Sequence, residues 1–102
     1  MSMFIMLMRL NEGSAHSPQD LEVLEKKVMG HIHHECPDVE WISSFAALGP
    51  YDYVDVFRAD GVDAATKVSA LMRSVGHAHT EQWPATEWSR FKELVRDLPG
   101  ES

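Results

Sequence analysis

Six consecutive apolar residues, Met3-Phe4-Ile5-Met6-Leu7-Met8, constrain this chain more than any other feature. A strand with one wet face alternates apolar and polar residues. A short run with no polar position reads as a strand buried on both faces, and it is too brief for a buried helix. Arg9 and the turn-forming Asn11-Glu12-Gly13-Ser14 close it. Such a strand must lie inside a sheet, so the remaining residues have to supply strands on either side and helices over at least one face. At 102 residues the chain reads as a single domain, 1–102, with material for one modest core.

The supply is legible in order. Ser17 is an N-cap with Pro18 at the first helical position and Asp20 in the first turn. Leu21, Leu24, Val28 and Ile32 then recur at helical spacing, opposite a solvated face of Glu22, Lys26 and His33. Pro37 stops this helix near Glu35. Val39 to Leu48 and Tyr51 to Arg58 read as two strands joined at Gly49-Pro50, a connection tight enough to imply an antiparallel hairpin. Strict alternation places Trp41, Ser43, Phe45 and Ala47 together. It likewise places Tyr51, Tyr53, Asp55 and Phe57 together. Asp60 is a candidate N-cap for a second helix with Ala64, Ala65, Val68, Leu71, Met72 and Val75 inward, and Gly76 fits a left-handed helix end. His77 to Trp83 alternates as a fourth strand ended by Pro84. Thr86 opens a last helix whose apolar face is Trp88, Phe91, Leu94, Val95 and Leu98.

The order βαββαβ plus a C-terminal helix is the ferredoxin-like α+β arrangement. Helices over one face leave the other bare, with Trp41, Phe45, Tyr53 and Trp83 read as its aromatic surface. A large exposed apolar face marks an interaction site. The simplest cover is the same face of a second copy, which predicts a homodimer through the open sheet face.

Composition narrows the function. Sixteen acidic against nine basic residues give a net charge of −7, the wrong sign for phosphate backbones or anionic lipid, so neither nucleic acid nor membrane is an expected partner. The apolar run near Met3 is too short to span a bilayer, and the expected location is the cytoplasm. One cysteine, Cys36, rules out an internal disulfide and the multi-cysteine zinc frameworks. No phosphate-cradling glycine loop, serine triad or dinucleotide fingerprint occurs, so no cofactor is implied.

Leu48-Gly49-Pro50-Tyr51-Asp52-Tyr53-Val54 resembles the Leu-Gly-x-Tyr-Asp-aromatic-Val signature of the GYD-domain proteins, small bacterial proteins named for that triplet. The likeness extends through the apolar first strand, both following helices and Thr80-Glu81 in the fourth strand. It implies a dimeric α+β barrel related to cofactor-free monooxygenases, isomerases and ligand-sensing domains. It lends Gly49, Tyr51 and Asp52 as motif positions without a catalytic role for any of them. Against the family pattern, His79 stands where a basic residue is frequent and Asp55 where an apolar one is usual.

The triplet has a structural explanation: Gly49 for φ > 0 in the turn, Asp52 as a hydrogen-bond acceptor, and Tyr51 with its ring against the sheet. Its functional reading puts Tyr51 and Asp52 at a cleft mouth. Asp55, His79 and Glu81 are the candidates for chemistry. Strands three and four both flank the first, so a carboxylate and an imidazole on one face can approach across it. A carboxylate beside histidine makes an acid–base pair near neutral pH. If the chain is an enzyme, His79 is its expected proton-transfer residue, oriented by Glu81 or Asp55, with Tyr53, Trp41 and Trp83 lining the ligand side. His77 sits nearer the turn and His16 in a loop. His31, His34 and Glu35 have helical metal-ligand spacing, but no second ligand segment is evident and histidines suit a helix end electrostatically, so no metal site is assigned. The expected function is binding of a small apolar or aromatic molecule, with cofactor-independent oxygenase- or isomerase-like chemistry as its catalytic extension. The alternatives are a non-catalytic ligand-sensing or assembly module, and histidine-mediated metal or haem binding.

Overall fold

The computed structural model describes residues 1–13 and 17–100. His16 and Ser14 lie outside the described residues. The elements run β1 (Ser2–Leu10), α1 (Pro18–Glu35), β2 (Glu40–Ala46), β3 (Tyr53–Ala59), α2 (Val62–Ser74), β4 (Ala78–Ala85) and α3 (Trp88–Val95). The strands form one sheet in the order β2-β3-β1-β4, antiparallel throughout. This is the ferredoxin-like α+β fold with a C-terminal helix, and the apolar β1 is an interior strand as its sequence requires. Among the described residues no helix is long and apolar enough to cross a membrane.

Register decides which side chains share a face. Phe4, Met6 and Met8 pair with Phe57, Asp55 and Tyr53 on one side, and with Pro84, Gln82 and Thr80 on the other. This row faces α1 and α2. Phe4, Met6, Met8 and Phe57 form a single core with Val28 and Ile32 of α1 and Ala65, Val68 and Met72 of α2. Ser17 caps α1 as its sequence predicts, accepting a hydrogen bond from the Asp20 amide at 3.2 Å.

The reverse row, Ile5, Leu7 and Arg9 with Val54, Val56, Glu81 and His79, faces away from both helices. Burial of β1 on both sides is only partly achieved within one chain: Phe4, Met6 and Met8 are buried on the helix side and Leu7 on the other, while Met3 and Ile5 are half-exposed.

Several local expectations are corrected. Gly61, not Asp60, is the N-cap of α2, and no side chain caps it. Glu87 rather than Thr86 precedes α3. Pro84 lies within β4, which an edge strand permits because one side of its backbone needs no ladder partner. Gly49 is not in a left-handed conformation; Gly13 and His77 hold the left-handed φ angles of the described residues. Gly76 is needed for space rather than φ: a Cβ there would stand 2.7 Å from the Met72 carbonyl oxygen. The apolar stripe of α3 is not core. The helix has no buried residue, and Trp88 and Phe91 stack on each other at 5.1 Å between centroids.

Candidate functional site

The sheet splits the sequence-predicted site in two. Asp55 pairs with Met6 in β1 and points to the helix side, whereas His79 and Glu81 pair with Arg9 and Leu7 on the opposite face. The carboxylate–imidazole pair expected between Asp55 and His79 does not form. Strand parity could have shown this, because Asp55 shares its side with Phe57, a fully buried residue, while His79 alternates with the buried Ala78 and Thr80.

Trp41 and Tyr53 also lie on the helix side, not on the bare face. A bulge between Trp41 and Ser43 shifts the register of β2 and brings Trp41 and Ser44 onto one side, where the indole N–H donates to Ser44 Oγ at 2.9 Å. The Trp41 ring stacks on Phe57 with centroids 5.2 Å apart. Of the four aromatic residues expected on the bare face, Trp83 and Phe45 remain there, opposite Ile5 and Val54. Phe45, exposed on the edge strand β2, borders the cleft on the helix side as well.

On the bare face the Gly-Tyr-Asp triplet builds a polar network. The regular β3 ladder begins at Tyr53, so Tyr51 escapes its alternation and reaches this side. Its hydroxyl donates to Glu81 Oε2, its ring lies under the Arg9 guanidinium at 5.5 Å, and Trp83 Nε1 donates to Glu81 Oε1 at 3.2 Å. These two donors hold the Glu81 carboxyl below its usual range, aided by His79 and Arg9. The same Glu81 bond pushes the Tyr51 hydroxyl upward. Asp52 terminates β1 by accepting from the Leu10 amide at 2.9 Å. The triplet thus fastens the hairpin to the end of β1 and to β4. His79 is exposed and borders neither of the two clefts described next.

A concave surface lies under α1. A cleft of about 490 Å³ opens between that helix and the sheet, a size in the usual range of about 300–1,000 Å³ for small-molecule sites. Leu21, Leu24, Val28 and Met29 of α1 form its roof, Met8 and Leu10 its floor, and Met72 and Ala78 its inner end. Tyr53, Ser44 and Asp55 supply polar groups within the apolar lining. Asp55 is 6% exposed. Burial pushes its carboxyl up to about 6, with Glu25 adding to the rise and a hydrogen bond with Ser44 opposing it. Burial of a carboxylate in low dielectric disfavours the charged form, which is why the residue titrates near neutrality.

Glu22 is exposed, as its place on the solvated face of α1 predicts, whereas the helical spacing places Leu21 and Leu24 in the core. They border the cleft instead, because the first turns of α1 stand clear of the sheet. Another hollow, of about 500 Å³, lies where α1 ends and α2 begins, lined by Cys36, Asp38, Asp60, Asp63 and Lys67 among others. Burial pushes the Cys36 thiol up, keeping it protonated and unreactive. His31, His33 and His34 are exposed, and no group of three metal-ligating side chains is assembled among the described residues.

A family model described as GYD domain matches residues 4–95. No curated protein matches the chain significantly. The crystal structure of TTHA0845 from Thermus thermophilus superposes with a TM-score of 0.57 at 20% identity, over 85% of this chain and 95% of that one. The Mycobacterium tuberculosis leucine response regulatory protein LrpA gives a TM-score of 0.57 at 15% identity, over 84% of this chain and 51% of that one. At these identities the two likenesses establish shared fold.

Proposed function

This chain belongs to the GYD-domain family, and from that premise we propose that it binds a small apolar or aromatic molecule in the cleft beneath α1, as a homodimer joined through the bare sheet face. The observation that carries the reading is the cleft itself: mainly apolar walls around one buried carboxyl and one tyrosine, the composition that small-molecule sites share. Asp55 is the cleft group whose pKa suits proton transfer near neutral pH. Cofactor-independent isomerisation of a bound molecule would therefore run through Asp55 rather than His79.

Surface area supports the second copy. The chain exposes 7211 Å², about 1,400 Å² more than a compact protein of this mass, and a standard interface takes about 800 Å² from each partner. Its radius of gyration is 16.1 Å, against about 13 Å for a compact chain of this length. Apolar side chains are among what is exposed: Trp83 on the bare face and Trp88, Phe91 and Leu94 on α3. A twofold partner supplies a matching face and a matching helix at once.

Titration of isotope-labelled protein with phenylbutanol tests the binding reading. Saturable amide shifts at Met8, Leu24, Val28 and Ala46 support it. Absence of saturable shifts, or shifts gathered on α3 and β4, overturns it.

A further inference from the structure

We infer that the molecule taken by the α1 cleft is an organic cation, an apolar body carrying a protonated amine that pairs with Asp55. The inference rests on the binding site proposed above and adds the ligand's charge. Three carboxyl side chains line the cleft, Asp55 from the sheet and Glu22 and Glu25 from α1, and its described lining contains no lysine, arginine or histidine. A carboxylate or phosphate ligand entering it would meet repulsion with no cation to pair with. A neutral ligand would leave the buried Asp55 without compensation for its lost water. An ammonium group supplies the missing counter-charge where it acts most strongly, in a low-dielectric site.

Two further observations point the same way. Asp55 is held by a hydrogen bond from Ser44, whereas a carboxylate offers about four lone-pair sites, so acceptor capacity remains for a ligand. Tyr53 and Phe45 also border the cleft, and aromatic faces attract organic cations through their quadrupoles. The net charge of −7 favours the approach of a cation from solution. The remaining polar surroundings of Asp55 do not compete: Tyr53 is the other titratable group from the sheet, and β1, β2, α2 and β4 contribute Met8, Ser44, Met72 and Ala78.

Calorimetric titration with three matched probes, phenylbutylamine, phenylbutanol and phenylbutanoate, tests the assignment at about pH 7.5. The amine is expected to bind at least about tenfold more tightly than the alcohol, the margin of a charge-assisted over a neutral hydrogen bond, and the carboxylate least. Asp55→Asn should erase the amine's advantage over the alcohol. Should that variant fail to fold, the wild type supplies the same readout through pH. Acidification to below about pH 5 protonates Asp55 and should remove the amine's advantage, with little change for the alcohol. Equal affinity for amine and alcohol, or tightest binding of the carboxylate, overturns the charge assignment while leaving the cleft as a binding site. Failure of all three probes to bind overturns the cleft reading and this inference together.

Discussion

Replacing Asp55 with asparagine should stabilise the protein at neutral pH, and by an amount that depends on pH in a defined way. Folding raises this carboxyl from its ordinary 3.8 to about 6, a change worth about 3 kcal/mol at about 1.4 kcal/mol per pH unit. The native state therefore holds the Asp55 proton more tightly than the unfolded chain. The residue's contribution to stability is fully present below about pH 4, falls as the pH rises toward 6, and is constant above. Asparagine keeps the shape and a hydrogen-bonding oxygen for Ser44 but never ionises. The variant and the wild type should thus have similar stability near pH 4. Above about pH 6.5 the variant should be the more stable by up to about 3 kcal/mol, a small-protein difference that urea midpoints resolve easily. The assay is urea unfolding followed by tryptophan fluorescence, across pH and at one protein concentration, since dimerisation makes stability concentration-dependent. A gap that does not vary with pH, or a wild type more stable than the variant at pH 7, would refute the claim that the Asp55 carboxylate is held against its solvation.

Other consequences can be checked independently. Gly76→Ala should destabilise by about 1–3 kcal/mol in chemical unfolding, because its Cβ would stand 2.7 Å from a backbone oxygen, an overpacking the rigid turn cannot relieve. Paired Trp88→Lys and Phe91→Lys substitutions should leave the far-ultraviolet dichroism unchanged while shifting sedimentation from dimer toward monomer; a wild type already monomeric at micromolar concentration would contradict the assembly proposal. Tyr51→Phe removes the donor that most depresses the Glu81 carboxyl, so the carboxyl carbon of Glu81 should titrate at higher pH by nuclear magnetic resonance, and an unmoved titration would show that the hydroxyl contributes little.

Periodicity carried most of the fold, and the reasons for its failures are physical. The apolar run of β1, the Ser17-Pro18 cap and the helical spacing through Ile32 each express local geometry, and each matches the structure. What alternation within one strand cannot express is the phase of one strand against the next. Asp55 and His79 both sit in regular strands, yet registration against β1 sends them to opposite faces. Phase was recoverable from Phe57 and Ala78, whose burial fixes the side on which their neighbours lie. The bulge after Trp41 carried no such signal, since neither glycine nor proline marks it, and it moved Trp41 to the covered side. The α3 stripe illustrates another limit: spacing identifies an apolar face without saying which molecule will cover it. The cleft was likewise hidden because Leu21 and Leu24 read as ordinary core until the sheet and α1 are seen to diverge around them.

The position that a small molecule takes on the protein is the most direct test of the α1 cleft. Crystals grown with bromophenylbutanol would locate the bromine by anomalous scattering. The prediction is a single strong peak between α1 and the sheet, among Leu24, Met29 and Tyr53, with the hydroxyl directed toward Asp55. A peak against Trp83 on the bare face or among the aromatic side chains of α3, with the α1 cleft empty, would contradict it.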